Sequence, residues 1–228
     1  MSIRLVVLLL CLLFSCSAPT PLAIPNDDVD LVVIKAVRLP NGEPWYSQFA
    51  DHCWIDLHQA GKQNWTRVEA NTDPEIWDVA PEGAFDLQRW DRPVEILAIQ
   101  TGADAARSIP LILQQAKTVA QDFEYRAFPG PNSNTYVARI LNQVPGLNAE
   151  LTHNSVGKDY TSSVSAGWTQ AGDGLRLDVP MLGASLGWQQ GIELHLIGLT
   201  AGISFWPPAL KLPILPRIGF EPGQTRTP

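Results

Sequence analysis

The 228 residues include 16 basic and 23 acidic side chains, a net charge of −7, and 45% are hydrophobic. That apolar share is enough for one domain with a core of its own. An acidic chain with no clustered basic stretch lacks a phosphate-tracking surface, so no nucleic-acid partner is expected.

The opening segment, MSIRLVVLLLCLLFSCSAPTP, holds one basic residue, Arg4, and then an apolar run from Leu5 to Phe14. Ten helical residues span about 15 Å, half a hydrocarbon core, so residues 1–15 read as a signal peptide and not as a membrane span. LFSC resembles a bacterial lipobox, with Leu13 and Ser15 in place, the bulky Phe14 between them, and Cys16 as the residue to be lipidated. Ser17 then points to an outer-membrane lipoprotein facing the periplasm. Cleavage near Ala18 or Ala23, giving a soluble periplasmic protein, and an uncleaved anchor are the alternatives. On each reading the folded part is exported. The first partner expected is therefore a membrane, reached through the N-terminus. Residues 16–28 are proline-rich and aperiodic, as a flexible tether is. Past the leader only Cys53 remains, so no internal disulfide holds the domain.

One α+β domain is expected over 29–213, an antiparallel sheet packed with two or three helices. Val29 to Leu39 is β-branched and predicts a strand ended by Asn41-Gly42. HCWIDLHQA and NWTRVEA predict two more strands joined at Gly61 as a hairpin. Residues 74–93, rich in Trp, Pro and acidic side chains, show no period and read as an irregular loop pinned by Trp77, Phe85 and Trp90. VEILAIQTG predicts a strand. SIPLILQQAKTVAQDF predicts a helix capped by Ser108, with Pro110 in its first turn and Leu111, Gln115 and Val119 on its apolar side. From Tyr136 a short helix follows, burying Val137, Ile140, Leu141 and Val144 and ended by Pro145-Gly146. In the glycine-rich remainder LRLDV, Gly191 to Leu199 and ISFW predict the last strands, with Trp168 and Trp188 covering exposed backbone. Residues 214–228 read as an extended tail.

Side chains alternate along a strand, so His52, Trp54, Asp56 and His58 share one face and Cys53, Ile55 and Leu57 the other. Cys53 is thus expected in the core. His52 and His58 lie about 20 Å apart along that strand and cannot share a metal; no metal or cofactor is expected. His58 is expected to be solvated near the turn. His195, within IELHLIGL, reads as a sheet residue with its hydrogen bonds satisfied.

The polar run Asn132, Ser133, Asn134, Thr135 heads the short helix. Unpaired N–H groups there favour a capping side chain, and equally an oxyanion beside a nucleophile. As a nucleophile Ser133 needs a base within about 3 Å. His52 is the first candidate and His153 an alternate, with Arg67 or Glu69 on the neighbouring strand as orienting groups. Asn132, Asn134, Lys158, Asp159 and Tyr160 are the candidate ligand-binding residues of the same cleft.

HCWIDL, GPNSNTYVARILNQVPGL, VGKDY, LGASLGWQQGIELHLIGLTAGI and WPPALKLP, in this order, resemble the bacterial family of unknown function DUF3750. More remotely, GPNSNTYVARIL resembles the helix start of circularly permuted papain-like hydrolases, the NlpC/P60 and PPPDE enzymes. There a histidine on an early strand precedes a nucleophilic cysteine at the head of a later helix. The resemblance sets His52 at the histidine and Ser133 at the cysteine, and implies a permuted papain-like fold. Serine for cysteine is a departure, since a hydroxyl needs far stronger activation than a thiol. The resemblance therefore implies a non-catalytic or pseudoenzyme domain that binds a peptide, glycan-peptide or lipid in its cleft. The alternative is a serine-dependent amide or ester hydrolase.

Overall fold

The structure, a computed structural model, describes residues 28–42 and 45–220. The signal peptide, Cys16, the tether up to residue 27 and residues 221–228 of the expected tail lie outside the described residues.

Six strands form a first antiparallel sheet: β1 (Leu31–Arg38), β2 (Asp51–His58), β3 (Trp65–Ala70), β4 (Pro74–Val79), β5 (Gln88–Arg89) and β6 (Arg92–Thr101), with the short helix α1 (Pro81–Phe85) before β5. Their order across the sheet is β4-β3-β2-β1-β6-β5. Helices α2 (Gly102–Ala120) and α3 (Ser133–Leu141) cover one face, α2 over β1 and β6, α3 over β2 and β3. The period-2 alternation sorts the side chains. Val32, Ile34, Ala36, Cys53, Ile55, Leu57 and Val68 meet the helices in the main core. Leu31, Val33 and Trp65 meet Ala84 and Phe85 of α1 on the other side. Lys35 and Asp56, both wholly buried, pair there at 2.9 Å.

Nine residues of α3 are too few to hold a helix alone in water. Its stability comes from the buried face Val137, Ile140, Leu141 with Val144 just beyond it, at the spacing the sequence predicts. Burying one such side chain contributes about 1.5–3 kcal/mol.

Three expectations for the first sheet and its helices change. Residues 74–93 are not a loop: β4 closes the sheet edge beside β3, pairing Thr66 with Asp78 and Val68 with Ile76. An edge strand tolerates Pro74 and half-exposed side chains, so no clean alternation marks it. Helix α2 begins at Gly102, with Pro110 inside it. Its buried face is Ala105, Ser108, Ile109, Ile112 and Ala116, while Leu111 is exposed. Small alanines at the core spacing hid that face behind the bulkier Leu111. His58 is buried and not solvated, its ring nitrogens set against the carbonyls of Val29 and Lys62 at 3.0 and 2.8 Å.

The remaining strands form a second, separate sheet where one sheet was expected. It is a seven-stranded antiparallel meander: β7 (Ser165–Trp168), β8 (Gly174–Val179), β9 (Leu182–Gly187), β10 (Gly191–Leu196), β11 (Leu199–Ser204), β12 (Ala209–Lys211) and β13 (Ile218–Gly219). β9 is not among the predicted strands, its glycines interrupting the apolar pattern. Gly183 and Gly187 instead allow close approach, a Cβ at Gly183 falling 1.8 Å from Asp178 Oδ1. The expected tail is folded as far as Phe220: β13 pairs with β12, and the Leu215 carbonyl accepts from His153 Nε2 at 3.0 Å and Asn154 Nδ2 at 2.8 Å. The whole is a mixed α+β protein, mostly antiparallel sheet with few helices.

Candidate functional site: a cavity at the head of helix α3

The polar run before α3 is a set of fasteners. Asn132 caps the helix, its Oδ1 accepting from the N–H groups of Asn134 and Thr135 at 3.1 and 3.2 Å. Thr135 Oγ1 accepts in turn from the Asn132 N–H at 3.1 Å, completing a capping box. Asn132 Nδ2 donates to the carbonyls of Ala127 and Val156.

Asn134 reaches across to β2. The β2–β3 ladder pairs Ile55 with Val68 and does not continue to Cys53 or Asp51. Asn134 takes the absent strand's place: its Oδ1 accepts from the Cys53 N–H at 3.0 Å and its Nδ2 donates to the Asp51 carbonyl at 2.7 Å. Nδ2 also donates to Val156 at 3.0 Å. Both asparagines of the candidate ligand set are thereby committed to the fold.

Ser133 is the first residue of α3, buried, and lines a cavity of about 350 Å³. The walls are mainly apolar, with Leu39, Phe49, Ala127, Phe128, Leu199 and Ile214 among them, and Asp51, Asn132 and Asn134 lie on its polar side. The phenol of Tyr125 lies beside Ser133. Burial pushes the Tyr125 hydroxyl up from its ordinary value and Ser133 opposes this only in part, so it stays neutral at pH 7.

His52 lies on the opposite face of the first sheet. Its Nε2 donates to Glu69 Oε1, its ring meets Trp54 and Trp90, and Arg89 bonds the same carboxylate at 2.7 Å. Burial pushes the Glu69 carboxyl up, and His52 and Arg89 pull it below the usual carboxylate range. The structure thus joins His52 to Glu69, as the hairpin reading allowed, but does not bring His52 to Ser133. The alternation explains why. On β2 the side chains turned toward α3 belong to Asp51 and Cys53, so the position facing Ser133 is Asp51. Arg38 Nε pairs with Asp51 Oδ1 at 2.8 Å, and Thr152 Oγ1 donates to its other oxygen at 2.5 Å. Cys53 is fully buried against Ser155 Oγ, and burial pushes its thiol far up. His153 holds Leu215, and burial pushes its pKa down.

Lys158 and Asp159 lie away from the cavity, buried beneath the second sheet. Lys158 Nζ pairs with Asp159 at 2.7 Å and with Glu193 at 3.3 Å, and Thr200 Oγ1 donates to Asp159. The Tyr160 ring packs over Gly130. Burial pushes the Glu193 carboxyl up, but Lys158, His195 and Lys211 hold it well below the usual range; Lys158, His195 and Arg176 do the same for Asp159. Burial pushes His195 down, and its bonds to Asp178 and Glu193 raise it overall. The depressed carboxyls stabilise the fold above about pH 4.5 and lose that contribution as pH falls through their folded values. The raised His195 stabilises it below about pH 6.5 and loses its contribution as pH rises through its folded value. Urea midpoints measured from pH 3 to 9 are expected to peak between these limits, with the steeper fall on the acid side; a flat profile contradicts the network.

Asp51 and Tyr125 were not legible as site residues. Tyr125 sits in an aperiodic stretch, and Asp51 is legible only once the strand's facing is known. Among the described residues no group of three or more His, Cys, Asp or Glu side chains is arranged to hold a metal.

These features define a mixed α+β protein with an apolar cavity over a capped helix head. The chain belongs to the family described as protein of unknown function (DUF3750), whose model matches residues 33–160. That span takes in the first sheet, both covering helices and the Lys158–Tyr160 segment, and ends before the second sheet. No curated protein and no solved structure matches the chain.

Proposed function

We infer that the protein is a non-catalytic binding domain of the cell envelope whose cavity takes an apolar group, of the acyl-chain kind among the peptide, glycan-peptide and lipid ligands considered. One observation carries this: a largely apolar cavity of about 350 Å³, in which Ser133 lies beside the Tyr125 phenol and no histidine is among the lining residues. The volume is at the small end of ligand pockets, which are mostly apolar with a few polar groups to fix orientation. The papain-like comparison enters this reading in one feature, a helix head bearing Ser133 set against β2. The alternative hydrolase needs His52 on the helix side of the sheet, and its bond to Glu69 on the far side speaks against it. Lipidation at Cys16 and the tether of 16–28 belong to the same reading, holding the cavity close to a bilayer.

The test is calorimetric titration with 1-decanoylglycerol, a neutral acyl probe, below its aggregation concentration. Saturable one-site binding is expected. Ala127→Trp, at the exposed cavity wall, is expected to weaken it at least tenfold, while His52→Ala leaves it within twofold. Binding unaffected by Ala127→Trp overturns the cavity assignment.

A further inference from the structure

The second sheet has its polarity reversed. An antiparallel sheet with one face to water ordinarily turns polar side chains outward. Here the register aligns the outward positions as Ala166 and Trp168 on β7, Leu175, Leu177 and Val179 on β8, and Leu182, Ala184 and Leu186 on β9. It continues with Ile192, Leu194 and Leu196 on β10, Ala201 and Ile203 on β11, then Leu210 and Ile218. No charged side chain interrupts them, and the Trp168 indole at the rim is their one hydrogen-bonding group. The charges point inward: Arg176, Asp178, Glu193, His195 and Lys211 meet Lys158, Asp159 and Glu150. Leu175, Leu186, Leu194 and Ile203 are each 56–65% exposed.

The two rims differ. The turns β7–β8, β9–β10 and β11–β12 and the end of β13 share one rim, which presents Trp168, Trp188, Phe205, Trp206 and Phe220. The other rim presents Met181, Leu182, Leu196 and Ile197. The three tryptophans are 64–71% exposed, so Trp168 and Trp188 present most of their rings outward, where the sequence suggests that these two cover backbone. A row of exposed aromatic rings bordering an uncharged aliphatic band is the arrangement suited to the headgroup level of a bilayer.

We propose that the outward face of the second sheet is a membrane-contacting surface that sits in the apolar part of one bilayer leaflet. Strands of six residues reach about 20 Å, and a spanning strand needs about 9–11 residues, so the sheet lies in the membrane without crossing it. The aromatic rim selects a bilayer over a second copy of the chain: Trp168, Trp188, Phe205, Trp206 and Phe220 line one edge of the aliphatic band, where a headgroup layer would meet them. The chain ahead of Asp28 supplies a second reason. The tether between the expected lipidation site, Cys16, and Asp28 reaches at most about 40 Å, which keeps the sheet within reach of the bilayer holding the anchor. This inference does not rest on the cavity at Ser133.

The experiment uses the full chain with Cys11→Ser and Cys16→Ser, and an environment-sensitive fluorophore on Leu194→Cys; Cys53 is buried and not labelled under native conditions. A second preparation carries the label on Lys62→Cys, in the exposed turn of the first sheet. With vesicles of phosphatidylethanolamine and phosphatidylglycerol, the label at 194 is expected to shift to the blue and to be quenched at least threefold by acyl-chain-brominated lipid; the label at 62 is not. Leu177→Glu with Leu186→Glu in the 194-labelled chain is expected to cut the quenched fraction at least tenfold, with circular dichroism unchanged. Vesicle binding that leaves the label at 194 unquenched assigns the contact to the leader and overturns the proposal. Concentration-dependent self-quenching at 194 without vesicles, undisturbed by them, overturns it in favour of a second copy.

Discussion

Asn134→Ala is expected to destabilise the protein by about 3–5 kcal/mol, from leaving two or more buried backbone groups without partners at about 1–3 kcal/mol each. The side chain supplies the only bonds seen to the Cys53 N–H and the Asp51 carbonyl on the side where β3 has ended. Asn134→Asp keeps an acceptor for the Cys53 N–H but turns a carboxylate oxygen toward the carbonyls of Asp51 and Val156, so it is expected to recover little. Urea unfolding followed by tryptophan fluorescence measures both. A loss below about 1 kcal/mol for Asn134→Ala means that Asn134 does not stand in for the missing strand.

Asp56→Ala is expected to cost about 3–5 kcal/mol, the range for removing one partner of a buried ion pair. Asp56 holds Lys35 Nζ at 2.9 Å, Arg67 through Nε and NH2 at 2.7 and 3.0 Å, and Trp54 Nε1 at 3.1 Å. Burial pushes the Lys35 ammonium down from its ordinary value even with the carboxylate beside it. Without Asp56 it is driven lower, and the variant sheds part of its penalty as pH rises and Lys35 loses its proton. The double substitution Lys35→Met with Asp56→Leu replaces charge by apolar volume and is expected to recover at least half of the loss. A single-variant penalty that is small and independent of pH contradicts the role given to this pair.

How far the sequence discloses this molecule depends on which physical signal each element carries. β1, β2, β3 and β6 are apolar or alternating runs with a buried face, β1 the richest in β-branched residues, and their places were legible. So was the core face of α3, because Val137, Ile140 and Leu141 are large and correctly spaced. α2 was displaced by Pro110, taken for a first-turn residue although the helix carries it inside. The second sheet was legible only in part, because its glycines serve close packing and not turns. Its reversed polarity was visible as alternation in IELHL and GLRLDV, but alternation alone does not say which side faces the protein. The same limit governs the candidate site. The pattern put His52 and Cys53 on opposite faces correctly, yet only the helix packing shows that the Cys53 side faces Ser133. The hairpin put Arg67 and Glu69 near His52 without choosing between them, because the register was not legible; Tyr125 as the neighbour of Ser133 was not legible at all, because a long-range contact from an aperiodic loop leaves no local signature.

The central claim, a binding cavity in which Ser133 is not a nucleophile, is tested most directly by incubating the purified protein with 1-decanoylglycerol and measuring decanoate release. The expected result is saturable binding with the ester intact, and Ser133→Ala binding the probe within about tenfold of wild type, the loss of one hydrogen bond costing about 0.5–1.5 kcal/mol. Decanoate released catalytically by the wild type, and reduced a hundredfold or more in Ser133→Ala, contradicts the account and makes the protein a serine hydrolase.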